Sequence, residues 1–337
     1  MKTYLFAALA GTAIASVAQA QFTETESNDT RAAANAVFGI VPGGTITGSS
    51  TASSGAGVDY FRVRMAAEPL GLYRRTLTIQ SPTTSSMTAS IRGFGQVGTA
   101  LAAWPAGGEG TANTTEASIQ GSRAIAGAAG RSESVWYGFG RADELHYRVN
   151  GASTTAGNYV ATLSSVAVVP TNIGTYQPGT ISMNWIGQGH STDTDMWVYD
   201  SNFNAIRGYG NDDEDPVGGS PGTGVTLQSY LRREYLPGIY YIAVSNWQTT
   251  NSMGSPSDDG FRTGQMAEFP DMILNNSTST GLNLTFTIAD SAGTSLQVAN
   301  TKVNAFDINW FCFEVVPTPG SAMLLGMGGL VALRRRR

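Results

Sequence analysis

The chain has 337 residues, 41% apolar and only 13% charged, with 41 glycines; charge that sparse, against about a quarter in ordinary domains, excludes a helical bundle or coiled coil, and the apolar share excludes wholesale disorder. The formal net charge is −5, and Lys2 with Arg334 to Arg337 supplies five of the 20 basic residues, so without them 15 stand against 25 acids, a balance of −10. A nucleic-acid partner, which needs a basic face to displace counterions, is therefore not expected.

Met1 and Lys2 precede an apolar run from Tyr4 to Ala15 and the small-residue stretch Val17-Ala18-Gln19-Ala20. A cation, a short apolar core and an A-x-A-type end are the parts of a secretory signal peptide. Residues 1–20 are expected to be a helical segment removed by signal peptidase, leaving Gln21 first. Glu24, Glu26, Asn28 and Asp29 then set four oxygen side chains within six residues, a density suited to a hard cation that takes about six to eight oxygens. The alternative is that Asn28-Asp29-Thr30 caps a turn or short helix through Ala32 to Ala36 and leaves the glutamates in water.

Alternating segments broken by turn clusters about every ten residues predict the short strands of a sandwich. In the first half these run from Asp59 to Met65, Thr76 to Gln80, Thr88 to Phe94, Glu116 to Gly121, Ser134 to Gly140, Glu144 to Val149 and Asn158 to Val169. Arg141-Ala142-Asp143 reads as a hairpin turn, and 106–115 as a loop. Gly93 to Gly98 satisfies G-x-G-x-x-G, but Pro105 leaves no room for the helix a dinucleotide site needs. Pro170 to Pro178, with few apolar residues between its prolines, reads as a linker. The second half predicts strands from Thr180 to Ile186, Asp195 to Tyr199, Asn204 to Tyr209, Thr226 to Leu231, Ile239 to Trp247, Leu282 to Ile288 and Asp307 to Val315, with loops at 212–224 and 249–259.

Asp193, Asp195, Asp212, Asp213 and Asp215 form a second acidic group, whose mutual repulsion is relieved either by calcium or by loop disorder. Asp200-x-Asn202-x-Asn204 imitates the start of a calcium loop, but Ala205 and Asn211 replace its glycine and its bidentate glutamate, so a hairpin turn is expected. Gly218 to Gly222 satisfies G-x-S-x-G, yet Pro221 has no N–H for an oxyanion hole. His146 and His190 lie in different halves with no nucleophile beside them, so catalysis is not expected. Single Cys312 excludes an intrachain disulfide. The ligand-stacking candidates are Trp185, Trp197, Tyr209 and Trp247, set against the alternative that strand alternation buries them.

The end of the chain reads Val316-Pro317-Thr318-Pro319-Gly320, an apolar run from Ser321 to Leu333, and Arg334, Arg335, Arg336, Arg337. At about 1.5 Å per residue the run is near 20 Å, short of a hydrocarbon core of about 30 Å; the arginines would stay cytoplasmic and halt export. The order Pro-x-Pro-Gly, apolar helix, Arg cluster resembles the PEP-CTERM sorting tail, with Thr318 where that tail carries Glu. The resemblance implies processing by an exosortase-like transpeptidase.

Glu24 to Thr30, then Val58-Asp59-Tyr60-Phe61-Arg62-Val63, then Ala156-Gly157-Asn158-Tyr159-Val160 resemble the opening E-x-E-x-N-D, the D-Y-F strand and the closing G-x-Y strand of the bacterial pre-peptidase C-terminal (PPC) domain, over residues 23 to about 168. Asp193 to Asp200 and Pro237 to Val244 are similar to that family's central and terminal strands. The resemblance implies a non-catalytic jelly-roll-like β-sandwich and places structural Ca2+ on Glu24, Glu26, Asn28, Asp29 and Asp59. The expectation is thus an all-β protein of two β-sandwich (jelly-roll-like) domains in tandem, 21–169 and 179–316, joined by 170–178 and flanked by helical signal segments at 1–20 and 317–337. Its expected role is an exported, surface-sorted, non-enzymatic adhesion, matrix or ligand-binding module at the cell surface, outer membrane or extracellular matrix. A polysaccharide or matrix polymer is its expected partner, and its tail holds it in the inner membrane until processed. The alternatives are a substrate-binding accessory of a separate extracellular hydrolase, or a carboxylate-dependent hydrolase using the second-half acids.

Overall fold

A computed structural model of the chain describes residues 20–51, 57–81, 87–97, 111–151, 155–214, 226–253 and 263–317. Among them the protein is all-β apart from a single 3-10 turn, Arg31–Ala33. Thr30 caps that turn, its Oγ1 accepting the Ala33 N–H at 3.3 Å. Both helical signal segments expected from the sequence lie outside the described residues, except Ala20 and the exposed Pro317. No described helix is long and apolar enough to cross a membrane.

The strands form four main sheets. An eight-stranded sheet runs in the order Gln21–Thr23, Thr45–Ser50, Gly157–Ala167, Tyr73–Gln80, Arg131–Gly138, Met272–Asn275, Thr249–Asn251, with Arg123–Ala124 beside Arg131–Gly138. A six-stranded sheet runs Thr263–Met266, Thr88–Val97, Glu144–Asn150, Asp59–Met65, Asn35–Ile40, with Thr111–Gly121 also on Thr88–Val97. Period-two alternation explains their facing: Phe61, Val63 and Met65 point inward while Arg62 and Arg64 point out, and the inward set meets Leu77, Ile79, Trp136 and Leu163 of the other sheet in one buried cluster. A five-stranded sheet (Thr171–Tyr176, Asn309–Val315, Gly238–Asn246, Thr194–Tyr199, Ala205–Asn211) and a four-stranded one (Tyr230–Tyr235, Gly179–Asn184, Phe286–Asp290, Ser295–Val298) close over a second cluster containing Met183, Val198, Ile242, Phe286 and Phe313.

Several expectations need correction. The supposed linker is a strand, Thr171–Tyr176, paired in parallel with Asn309–Val315 because Ile173 and Tyr176 find apolar cover there; the register shifts between Asn172 and Thr175, where Gly174 takes a positive φ of 104°. Arg141–Asp143 closes no hairpin: the strands on either side belong to different sheets, and buried Asp143 ties the corner down by accepting Trp136 Nε1 at 2.6 Å and Arg75 at 3.0 Å. Thr111 to Thr115 and Thr249 to Asn251, read as loops, are strand. Most consequential, Thr249–Asn251, Thr263–Met266 and Met272–Asn275, expected within the second sandwich, add strands to the two first-half sheets.

The two pairs of sheets share a third apolar cluster. Phe139 stacks on Phe203 at 5.4 Å, Trp310 lies 6.0 Å from Tyr137, and the Tyr137 hydroxyl accepts the Ile308 N–H at 3.1 Å. Beside it buried Lys302 donates to Asn246 Oδ1, Asn275 Oδ1 and the Ser277 carbonyl at 2.7, 2.8 and 2.9 Å, pinning the crossover segment where it returns.

Candidate metal centres

Two acidic groups predicted from the sequence assemble in space. In the first, Glu24, Glu26 and Asp59 bring one carboxylate oxygen each within 4.8 Å of one another. The backbone fixes them: Glu24 N–H donates to Thr47 O at 2.9 Å, Ser49 N–H to Glu24 Oε2 at 2.7 Å, and Tyr60 N–H to Asn28 O at 2.9 Å, which holds the 24–29 segment against the head of strand Asp59–Met65. Gly48 makes room, since a Cβ there would lie 2.7 Å from Glu24 Oε2 and closer still to the hydroxyl of Tyr159, its cross-strand neighbour.

The chemistry of this group would suit a cation. Asp59 and Asn28 are fully buried, and both Asp59 oxygens, Glu24 Oε1 and Asn28 Oδ1 are shielded from water without a hydrogen bond. The Tyr159 hydroxyl faces Asp59 without closing one. Buried acceptors are normally paired, and a buried carboxylate among carboxylates is costly. Burial, with the Glu24 and Glu26 carboxylates adding to it and the Tyr159 hydroxyl opposing it, pushes Asp59 up to about 8. Burial and then the neighbouring Asp59 and Glu24 push the Tyr159 phenol well above its ordinary range. A divalent cation would be held by Glu24, Glu26 and Asp59, and would give the unpaired oxygens of Asp59 and Glu24 a partner. Asp29 is not in this group; its Oδ1 accepts the Gly57 N–H.

In the second group Asp193, Asp212 and Asp213, all half-buried, bring oxygens within 4.8 Å of one another. A polar knot sets the two loops: Ser229 donates to Thr194 O at 2.7 Å, and Asn211 Oδ1 accepts Tyr230 N–H at 2.6 Å. Asp195 is directed elsewhere, its Oδ2 accepting the Thr249 N–H at 2.9 Å where the crossover segment begins. Asp215 lies outside the described residues. Asp200 Oδ1 accepts the N–H groups of Asn202 and Asn204 at 2.8 and 2.9 Å, the hairpin turn expected of it.

The aromatic candidates do not make a stacking face. Trp185 is 0% exposed, stacked on Phe286 at 4.7 Å with Nε1 donating to Leu284 O, and Trp197 is 1% exposed in the cluster shared by the two sheet pairs. Tyr209 packs against the second core and donates to Glu234 O at 2.6 Å, which leaves Trp247, 53% exposed, as the accessible ring of the four. His190 is held through Nε2 by the Thr285 carbonyl at 2.8 Å. Sequence reasoning missed the partner of His146: Glu268 Oε2 lies 2.8 Å from its Nδ1, delivered by the crossover segment. The signal that was present is the alternation Arg62-Val63-Arg64 and His146-Tyr147-Arg148, which puts Arg62, Arg64, His146 and Arg148 on one face. No protein-family model matches the chain, and none of the curated proteins does.

Proposed function

We propose that this protein is an exported, surface-sorted, non-catalytic binding module built of two β-sandwich-like pairs of sheets joined by an exchange of strands, serving adhesion or the extracellular matrix and stabilised by calcium. The export part rests on the signal-peptide pattern of residues 1–20 and on the Pro-x-Pro-Gly, apolar and Arg-cluster order of 317–337, read by an exosortase-like transpeptidase. The observation that carries the module reading is the convergence of Glu24, Glu26 and Asp59 on one ion-sized position, with the two Asp59 oxygens buried and unpaired. Carboxylates that converge so closely suit a metal; a glycoside-cleaving pair would face each other across about 5 to 9.5 Å of a substrate cleft. Bound there, calcium supplies charge neutralisation and fixes the 24–29 segment to strand Asp59–Met65, a structural role.

The test is thermal unfolding of the exported protein with calcium and with chelator. An ion held only by the folded state raises the midpoint, by about 2.7 kcal/mol of stability at a hundredfold excess over Kd. A rise that disappears in Glu26→Gln and Asp59→Asn supports the reading; an unchanged midpoint removes calcium from it.

A further inference from the structure

The outer face of the six-stranded sheet differs from the rest of this acidic chain. Register sets His146 opposite both Arg62 and Arg92, and Phe38 opposite Arg64, so adjacent strands carry a row of arginines and rings on this face with buried His146 between them. The guanidinium of Arg64 lies 4.2 Å from the Phe38 ring, and that of Arg31, from the 3-10 turn, 4.5 Å from Phe94. Phe38 is 43% exposed, and the Arg62 and Arg64 side chains are 42% and 40% exposed. Three glutamates answer five arginines here: Glu144 takes Arg62 and Arg64, Glu116 takes Arg92, and Glu268 takes Arg31 together with His146. Arg148 makes no ion pair among the described residues, and its Nε is buried without a hydrogen bond. A depression of about 520 Å³ lined by Arg31, Phe38, Arg62, His146 and Glu268 opens onto this row.

We propose that this face binds a carboxylate-bearing polysaccharide, its carboxylates on Arg62 and Arg148 and the apolar side of a sugar ring on Phe38. Guanidinium groups match planar carboxylates, and although Arg62 already meets Glu144, that glutamate is shared with Arg64, so five arginines against three glutamates leave the face a surplus of two charges for a ligand. An exposed ring beside such charges gives the amphipathic contact that a sugar ring uses. Nucleic acid fits worse: a continuous phosphate run would meet Glu116, Glu144 and Glu268 on a chain of net charge −5, whereas affinity for it rests on uncompensated basic residues. The inference deepens the binding-module reading and rests on it, but it uses no residue of either metal group.

The experiment is affinity electrophoresis and calorimetry of the exported protein with polygalacturonate, fully methyl-esterified polygalacturonate and a thymidine oligonucleotide. Polygalacturonate is expected to bind and its ester not to. Arg62→Ala and Phe38→Ala should each weaken binding about tenfold, as losing one charge-assisted or one ring contact does. Glu268→Gln, which removes a competing carboxylate, should tighten it, a gain that misfolding does not produce. Equal binding of the ester, tighter binding of the oligonucleotide, or parent-like affinity in all three variants overturns the proposal. Calcium-dependent melting of the same preparation separates the two readings: a calcium shift without polymer binding overturns this face alone, and polymer binding without a calcium shift supports the face while removing the ion.

Discussion

Asp59 offers the sharpest test of the metal site, because its protonation and a bound cation answer the same electrostatic problem. Its value of about 8, against an ordinary 3.8, means that the folded protein without metal binds this proton far more tightly than the unfolded chain. The folded state then holds more protons than the unfolded state from about pH 4 to about pH 8, so stability falls as pH rises through that window and is flat below it. A gap of about four units corresponds to about 6 kcal/mol at full weight. Glu26 is exposed, so water reaches the edge of the group, and about half, near 3 kcal/mol, is the working expectation. The assay is urea unfolding from pH 4 to pH 9 in chelator and again in saturating calcium. In chelator this decline is expected; in calcium it should vanish, because the cation neutralises Asp59 as the proton did. Asp59→Asn should abolish the decline in chelator, leave the variant more stable than the parent at pH 8, and lose the calcium shift. The same pH slope with and without calcium, or a slope retained in Asp59→Asn, would falsify the argument that this carboxyl is the centre of a cation site.

Asp29→Ala should keep the calcium shift while lowering stability by about 1 kcal/mol, since it loses only the loop-closing bond to the Gly57 N–H; titration by calcium-dependent fluorescence checks this. Phe139→Ala, in the cluster shared by the two sheet pairs, should cost about 3 to 5 kcal/mol and split a shared unfolding transition into two in calorimetry. Lys302, whose burial brings its ammonium down to about 8 from 10.5 despite the opposing carboxylate of Asp307, binds its proton less tightly folded than unfolded. Stability should therefore rise between about pH 8 and pH 10.5. Lys302→Met should remove that rise and, by leaving Asn246 and Asn275 acceptors unpaired, cost about 2 to 3 kcal/mol at neutral pH.

What was legible in the sequence was what the chain encodes locally. Strand Asp59–Met65 agrees at both ends because Phe61, Val63 and Met65 alternate with two arginines and turn clusters bound the run. The Thr30 cap was legible because a hydroxyl before a short alanine run has one obvious N–H to accept. Two of the four close-spaced oxygen residues at 24–29, Glu24 and Glu26, lie with Asp59 because the segment is tied to neighbouring strands by backbone hydrogen bonds. Asp29, the fourth, accepts the Gly57 N–H, a contact that composition alone does not announce. The strand Thr171–Tyr176 was hidden by its flanking prolines, which suggest a linker but are tolerated at a sheet edge.

The crossover was illegible for a different reason. Thr249–Asn251 and Met272–Asn275 are too short to show a period, and the buried positions Ile273 and Leu274 are adjacent, since one faces the first core and the other the shared cluster. Their cover comes from Arg131–Gly138, more than a hundred residues earlier, so no local pattern announces the pairing. The same segment carries Glu268 to His146 and Arg31. The arginine face thus has two kinds of legibility: its rows of cations follow from alternation within each strand, while the carboxylate that partly neutralises them depends on a tertiary excursion. That division is why Glu268→Gln is the informative substitution, for it changes the charge of the face at its one non-local contributor and leaves the strands that display the arginines as they are.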